Sequence, residues 1–161
     1  MIKKPITIII LLLLLINIYP VSSEASSSAE NNHADVLIAL KIIDSKPKEN
    51  TKITRGDFVD SVIRMMFDEI PNTQATPFSD VEQNKNKDAI AVAANIGIIN
   101  GNIDGQFEPD SAITFNEALK IIVTALGYNS TALARGGYPQ GYLFVASDKG
   151  LLRNVSSKTE S

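Results

Sequence analysis

Residues 78–128 read FSDVEQNKNKDAIAVAANIGIINGNIDGQFEPDSAITFNEALKIIVTALGY, and this stretch decides the fold. Asp88 to Ile96 predicts a helix with Ile90, Ala93 and Ala94 along one side, and Gly97 is placed to end it. Asn100 to Asp110 is a turn-rich loop holding two glycines and a proline. Thr114 then has Glu117 three residues on, the spacing of a capping box that opens a second helix. Ala118, Ile121, Ile122, Ala125 and Leu126 form the apolar stripe of a core-facing helix, and Gly127 closes it.

Parts of the pattern recur on both sides. Ile53-Thr54-Arg55-Gly56-Asp57 copies Ile113-Thr114-Phe115-Asn116-Glu117, and Gly150-Leu151-Leu152 copies Gly97-Ile98-Ile99. A short helical unit in tandem buries its faces only against its neighbours, which points to a binding array more than to an enzyme. The expected fold is therefore all-α, built from tandem helix–loop–helix repeats. In the first copy Val36, Leu37, Leu40 and Ile43 suggest a short helix, and Asp44 to Lys52 a polar loop. Thr54 caps the next helix with Asp57 as reciprocal partner, a variant of the usual box, and Phe58, Val62, Met65 and Met66 form its stripe. In the third copy a helix is expected from Tyr142 to Lys149, and the chain ends at Ser161 before a second capped helix, leaving a half-repeat. The expected organisation is a signal peptide at 1–25, a disordered spacer at 26–33, repeats at 34–70, 78–128 and 129–161, and a linker at 71–77.

Lys3 and Lys4 precede an apolar run from Ile6 to Ile18, and small residues follow Tyr19-Pro20, the three parts of a secretory leader. The run is shorter than the ~20 residues of a membrane span, although an uncleaved N-terminal anchor stays open. Zero cysteine removes lipid attachment at cysteine, disulfides and thiol chemistry. The formal net charge of −3 becomes more negative without the two leader lysines, which argues against nucleic acid as a partner.

The central unit supplies Phe78 and Asp80, Gly97-Ile98-Ile99-Asn100-Gly101, Gly105-Gln106-Phe107-Glu108-Pro109 and Ile113-Thr114 with Glu117-Ala118. In this order and spacing they resemble the S-layer homology repeat, a cell-surface anchoring module of bacteria. The resemblance implies a pseudo-threefold helical bundle whose grooves bind secondary cell-wall polysaccharide, often carrying ketal-linked pyruvate. It implies non-covalent attachment to a Gram-positive-type wall, a secreted, cell-surface location and no catalysed reaction. It places the ligand-binding arginine in the Ile-Thr-Arg segment, at Arg55, and lines the groove with residues of the Phe-x-Asp and glycine-loop segments, here Asp80 and Gly101.

A guanidinium at the first turn of a helix suits a carboxylate, because the positive helix end and free N–H groups favour an anion. Lys46, Lys48 and Lys52 lie just before Arg55, so with Thr54 and Asp57 this is the one local stretch suited to an anionic polymer. The alternative is that Thr54 and Asp57 only cap a helix while Arg55 faces solvent. The central repeat carries Phe115 at the arginine position, with Asp104, Glu108, Asp110 and Glu117 around it, and is expected to be mainly structural. A second class of reading is an assembly module whose exposed stripes seek another protein chain, without wall binding. Asn100 to Gly105 also looks like the start of a calcium loop of dockerin type, but Ser111 stands where the bidentate acid belongs. No cofactor is implied. For an enzyme nothing converges: His33 is the only histidine and lies at the edge of the spacer.

Overall fold

The structure is a computed structural model that describes residues 35–45, 52–72 and 75–153. The expected leader and spacer, His33, Lys46 and Lys48 lie outside the described residues. The described chain is helical, with no strand and one isolated antiparallel bridge, Thr54 to Ala112. It divides into two compact units, Met1–Ile113 and Thr114–Ser161. Among the described residues no helix is long and apolar enough to cross a membrane.

In the first unit a short helix α1 spans residues 35–39 and is followed by the buried Ile42. Helix α2, Arg55–Met66, starts because Thr54 sits in extended backbone and its Oγ1 accepts the Asp57 N–H at 3.1 Å. Helix α3, Lys87–Asn95, is a run of small and branched apolar residues, and Ala89 to Ala93 are all buried. Their short side chains let α3 lie against α2. The core they share with the loops includes Val59, Ile63, Val81, Ile90 and Phe107, none more than 1% exposed.

Gly97 ends α3 in the left-handed region, φ 75°, where a side chain would be strained. The Ile98 N–H reaches the Ala93 carbonyl at 2.9 Å and the Gly97 N–H the Ala94 carbonyl at 3.0 Å, the paired bonds of a Schellman end. The reversal turns Ile98 and Ile99 into the core. The same pair of bonds recurs at Gly150, from Leu151 to Ala146 and from Gly150 to Ser147, so the sequence match between the two sites is also a structural one.

The loop that follows Gly97 returns to the start of α2. Arg55 N–H donates to the Ser111 carbonyl at 2.9 Å, Gly56 N–H to the Pro109 carbonyl at 2.8 Å, and Ile113 N–H to the Ile53 carbonyl at 3.0 Å. Gly56 is what permits this approach, since a Cβ there would stand 3.1 Å from the Pro109 oxygen and 3.2 Å from Asn86 Nδ2. The physical unit is thus a capped helix plus the helix and loop of the next sequence repeat. Its edge at Ile113/Thr114 falls inside the 78–128 repeat expected from the sequence.

The second unit holds α4, Phe115–Ala125, α5, Asn129–Ala134, and α6, Gln140–Asp148. Leu119, Val123, Ala132, Tyr142, Val145 and Ala146 form its core. Here the capping box is complete: Glu117 N–H donates to Thr114 Oγ1 at 3.4 Å and Glu117 Oε2 accepts the Thr114 N–H at 2.9 Å. Tyr142 Oη donates to Asn129 Oδ1 at 2.6 Å, tying α6 to α5. Gly141 sits so close to the Ala132 carbonyl that no side chain fits between the two helices.

Two sequence expectations shift. The buried face of α2 is Val59, Val62 and Ile63, with Phe58, Met65 and Met66 only half-buried, because α3 contacts the helix on a face rotated from the expected stripe. On α4 the buried residues are Leu119, Ile121 and Val123, because Leu119 and Val123 pack with Tyr142, Val145 and Ala146 of α6, and Ala118, Ile122, Ala125 and Leu126 are half-buried. Helix α5 carries no apolar periodicity long enough to announce it.

Candidate functional site

The residues singled out in the sequence gather where loop 100–111 meets the start of α2. Asp80 follows the buried Phe78, and its carboxylate points into the loop. Oδ1 accepts the Phe107 N–H at 2.9 Å and Oδ2 the Glu108 N–H at 2.7 Å. Arg55 approaches the same backbone from α2, where its Nε donates to the Phe107 carbonyl at 3.0 Å. The peptide group joining Phe107 to Glu108 is therefore held at both edges, its carbonyl by Arg55 and its N–H by Asp80. Burial alone would raise the Asp80 pKa. The N–H groups of Phe107, Glu108 and Asp80 itself and the Arg55 charge outweigh it, so the carboxyl titrates below its ordinary range.

The rings complete the fixture. The Arg55 guanidinium carbon lies 4.7 Å from the Phe107 ring centroid, a cation–π contact, and Phe107 stacks on Phe78 at 5.4 Å. Gly101 lies against Phe78, and a Cβ there would be 2.8 Å from Phe78 Cε1 and 2.9 Å from the Gln106 oxygen. Gly101 thus acts as the seat of the aromatic stack. Beyond it Glu108 adopts φ 59°, a left-handed conformation that ordinary side chains avoid, and Asn102 Nδ2 holds its carboxylate at 3.0 Å.

Asp57 departs from its expected reciprocal role. Its carboxylate accepts from Asn86 Nδ2 at 2.9 Å and pairs with Lys85 Nζ at 2.8 Å, linking α2 to the start of α3. Aspartate is one methylene shorter than the Glu117 that closes the box on α4, so it turns outward to these partners. Burial pushes its pKa up, but the hydrogen bonds from Lys85, Asn86 and Thr54 and the Lys85 charge prevail and hold it low. The Asp57 carboxylate in turn raises the Lys85 pKa. Neither Lys85 nor Asn86 was singled out from the sequence. Only Asn86 is buried, and nothing in the local pattern marks it.

Two chemical expectations change with this geometry. The N–H groups of Arg55, Gly56 and Asp57 are taken by Ser111, Pro109 and Thr54, so the end of α2 offers an anion no open backbone donors. Any anion would be held by side chains: Arg55, half-buried, and Lys52, exposed. Nor does Arg55 simply face solvent, since it clamps the loop. Loop 100–105 is closed by its own bonds. Asn102 Oδ1, a ligand in the calcium reading, accepts the N–H groups of Asp104 at 3.0 Å and Gln106 at 2.9 Å.

Comparison with known proteins adds two findings. Residues 77–119 match the S-layer homology domain, covering the Phe78–Asp80 segment, the loop and the start of α4. Over 129 residues the chain is 30% identical to a protein of Thermoanaerobacter kivui named cell surface protein, and the alignment covers 74% of this chain. The chain spans 16% of the length of that relative.

Proposed function

We propose that this chain, which carries an S-layer homology domain, anchors a bacterial surface protein to the cell wall without a covalent bond. The observation that carries this is the match over residues 77–119, together with the cell-surface relative. The matched domain is a non-catalytic module, and the reading assigns the chain a binding role. It also assigns secretion and a place in the wall.

The finer reading is that the wall component is a secondary cell-wall polysaccharide with pyruvate ketals, and that Arg55 and Lys52 meet its carboxylates. Thr54, Asp57, Asp80 and Gly101 then act as the frame that fixes Arg55. Support comes from preorganisation: Arg55 is bound to the Phe107 carbonyl and stacked on the Phe107 ring, so little side-chain entropy is lost on binding. Asp80 already interacts with the Arg55 charge, so a ligand carboxylate has a competitor there and its contact is weak and fades with salt. Pelleting the full chain with wall sacculi tests this. Arg55→Ala with Lys52→Ala should lower the bound fraction severalfold at low salt, and equal pelleting of variant and wild type would remove Arg55 from the site.

A further inference from the structure

The second unit differs from the first in charge and surface. Residues 114–161 carry five basic and three acidic side chains, whereas residues 35–113 carry eight basic and thirteen acidic. Asp148 pairs with Lys149 at 3.0 Å, which takes up one charge of each sign, so the surplus of two positive charges rests on the remaining bases. A local positive field inside an acidic protein is where an anionic polymer gains most.

That field is combined with exposed rings at one place. The turn 135–139, which joins α5 to α6, contributes one member to each of two cation–aromatic pairs. Arg135 lies over the Phe144 ring with its guanidinium carbon 4.6 Å from the centroid. Lys120 Nζ lies 5.7 Å from the Tyr138 centroid. Phe144 is 48% exposed and Tyr138 50%, although α6 has a buried face available at Tyr142, Val145 and Ala146. Arg135 and Tyr138 are three residues apart, so their Cα atoms are separated by at most about 11 Å, a span of two or three sugar rings. An exposed ring receives the C–H face of a pyranose, and a cation beside it receives a carboxylate or phosphate on the same sugar. The core of the unit is built from other residues, and Tyr138 meets it through an edge-to-face contact with Tyr142, ring centroids 6.3 Å apart.

We propose that this turn, with Arg135, Tyr138, Lys120 and Phe144, is a second contact for an acidic wall glycan, an assignment that rests on the wall-anchoring reading above. It takes an anionic polysaccharide by stacking plus charge.

The test is sedimentation of the full chain with wall sacculi, intact or stripped of their secondary polymer with hydrofluoric acid. Lys120→Gln with Arg135→Gln should weaken binding to intact sacculi about tenfold. Phe144→Ala with Tyr138→Ala should do the same at a salt concentration that screens charge, and Arg135→Lys should retain most of the binding. All four positions are at least partly exposed, and unchanged helical circular dichroism confirms folding. If the glutamine pair binds as wild type while Arg55→Gln does not, this contact is wrong and wall anchoring stands. If the glutamine pair loses binding to stripped sacculi equally, the turn reads peptidoglycan and the acidic-glycan assignment falls. If wild type binds no sacculi, both readings fall.

Discussion

Replacing Asp80 with alanine removes the two acceptors that hold the Phe107–Glu108 backbone, at 2.9 and 2.7 Å. A hydrogen bond to a charged group contributes about 1.5–3 kcal/mol when buried, and less when water can substitute. Phe107 is only 1% exposed, so its N–H is left in the interior and counts near the top of that range. Glu108 is exposed and counts near the bottom. The left-handed Glu108 loses its main restraint at the same time. The expected loss is about 2–4 kcal/mol, a large part of the ~5–15 kcal/mol that holds a typical domain folded. Urea unfolding followed by circular dichroism should show the midpoint falling by about 1–2 M for a typical slope. The pH dependence is a second readout. Because the folded pKa of Asp80 lies below its ordinary value of 3.8, its contribution is present above that pH and is lost as pH falls through the folded pKa. Wild type should therefore lose stability in acid more steeply than the Asp80→Ala variant. A midpoint shift under about 0.2 M, with parallel acid limbs, would refute the clamp.

Three other changes probe the same junction. Glu108→Gly should raise stability by about 0.5–1 kcal/mol in thermal melts, because glycine adopts φ 59° freely and only an exposed contact to Asn102 is lost. Gly101→Ala should cost about 1–3 kcal/mol by driving a methyl into Phe78, and near-ultraviolet signals from the aromatic stack should weaken with it. Asp57→Ala leaves the buried Asn86 amide without its acceptor and should cost about 1–3 kcal/mol, whereas Lys85→Ala, whose amine is exposed, should change the unfolding midpoint by less than the equivalent of about 0.5 kcal/mol.

Local chemistry made much of the fold legible. Thr54, Thr114 with Glu117, and Gly97 each fix a helix end through neighbours within six residues, so their spacing alone identified them. The half-repeat offset was not legible. It depends on Gly56 receiving Pro109 from a loop more than fifty residues on, and a sequence repeat does not reveal which copy a loop docks against. The stripes on α2 and α4 were misplaced by part of a turn, since half-buried Phe58, Met66 and Ile122 are as apolar as the residues that face the core. At the site, Arg55 and Asp80 were legible as members of motifs. Their joint grip on one peptide group was not, because it depends on where the loop places Phe107. The exposure of Phe144 and Tyr138 is not legible in the sequence, because exposed aromatics look the same there as buried ones.

The central claim, attachment through an acidic wall polymer, is tested most directly by titrating the full chain with the purified soluble polysaccharide in a calorimeter, before and after mild acid removes its pyruvate ketals. Saturable binding to the intact polymer that weakens at least tenfold after ketal removal and declines with salt is the predicted result. Equal heats from the two polymers, or none from either, would contradict it.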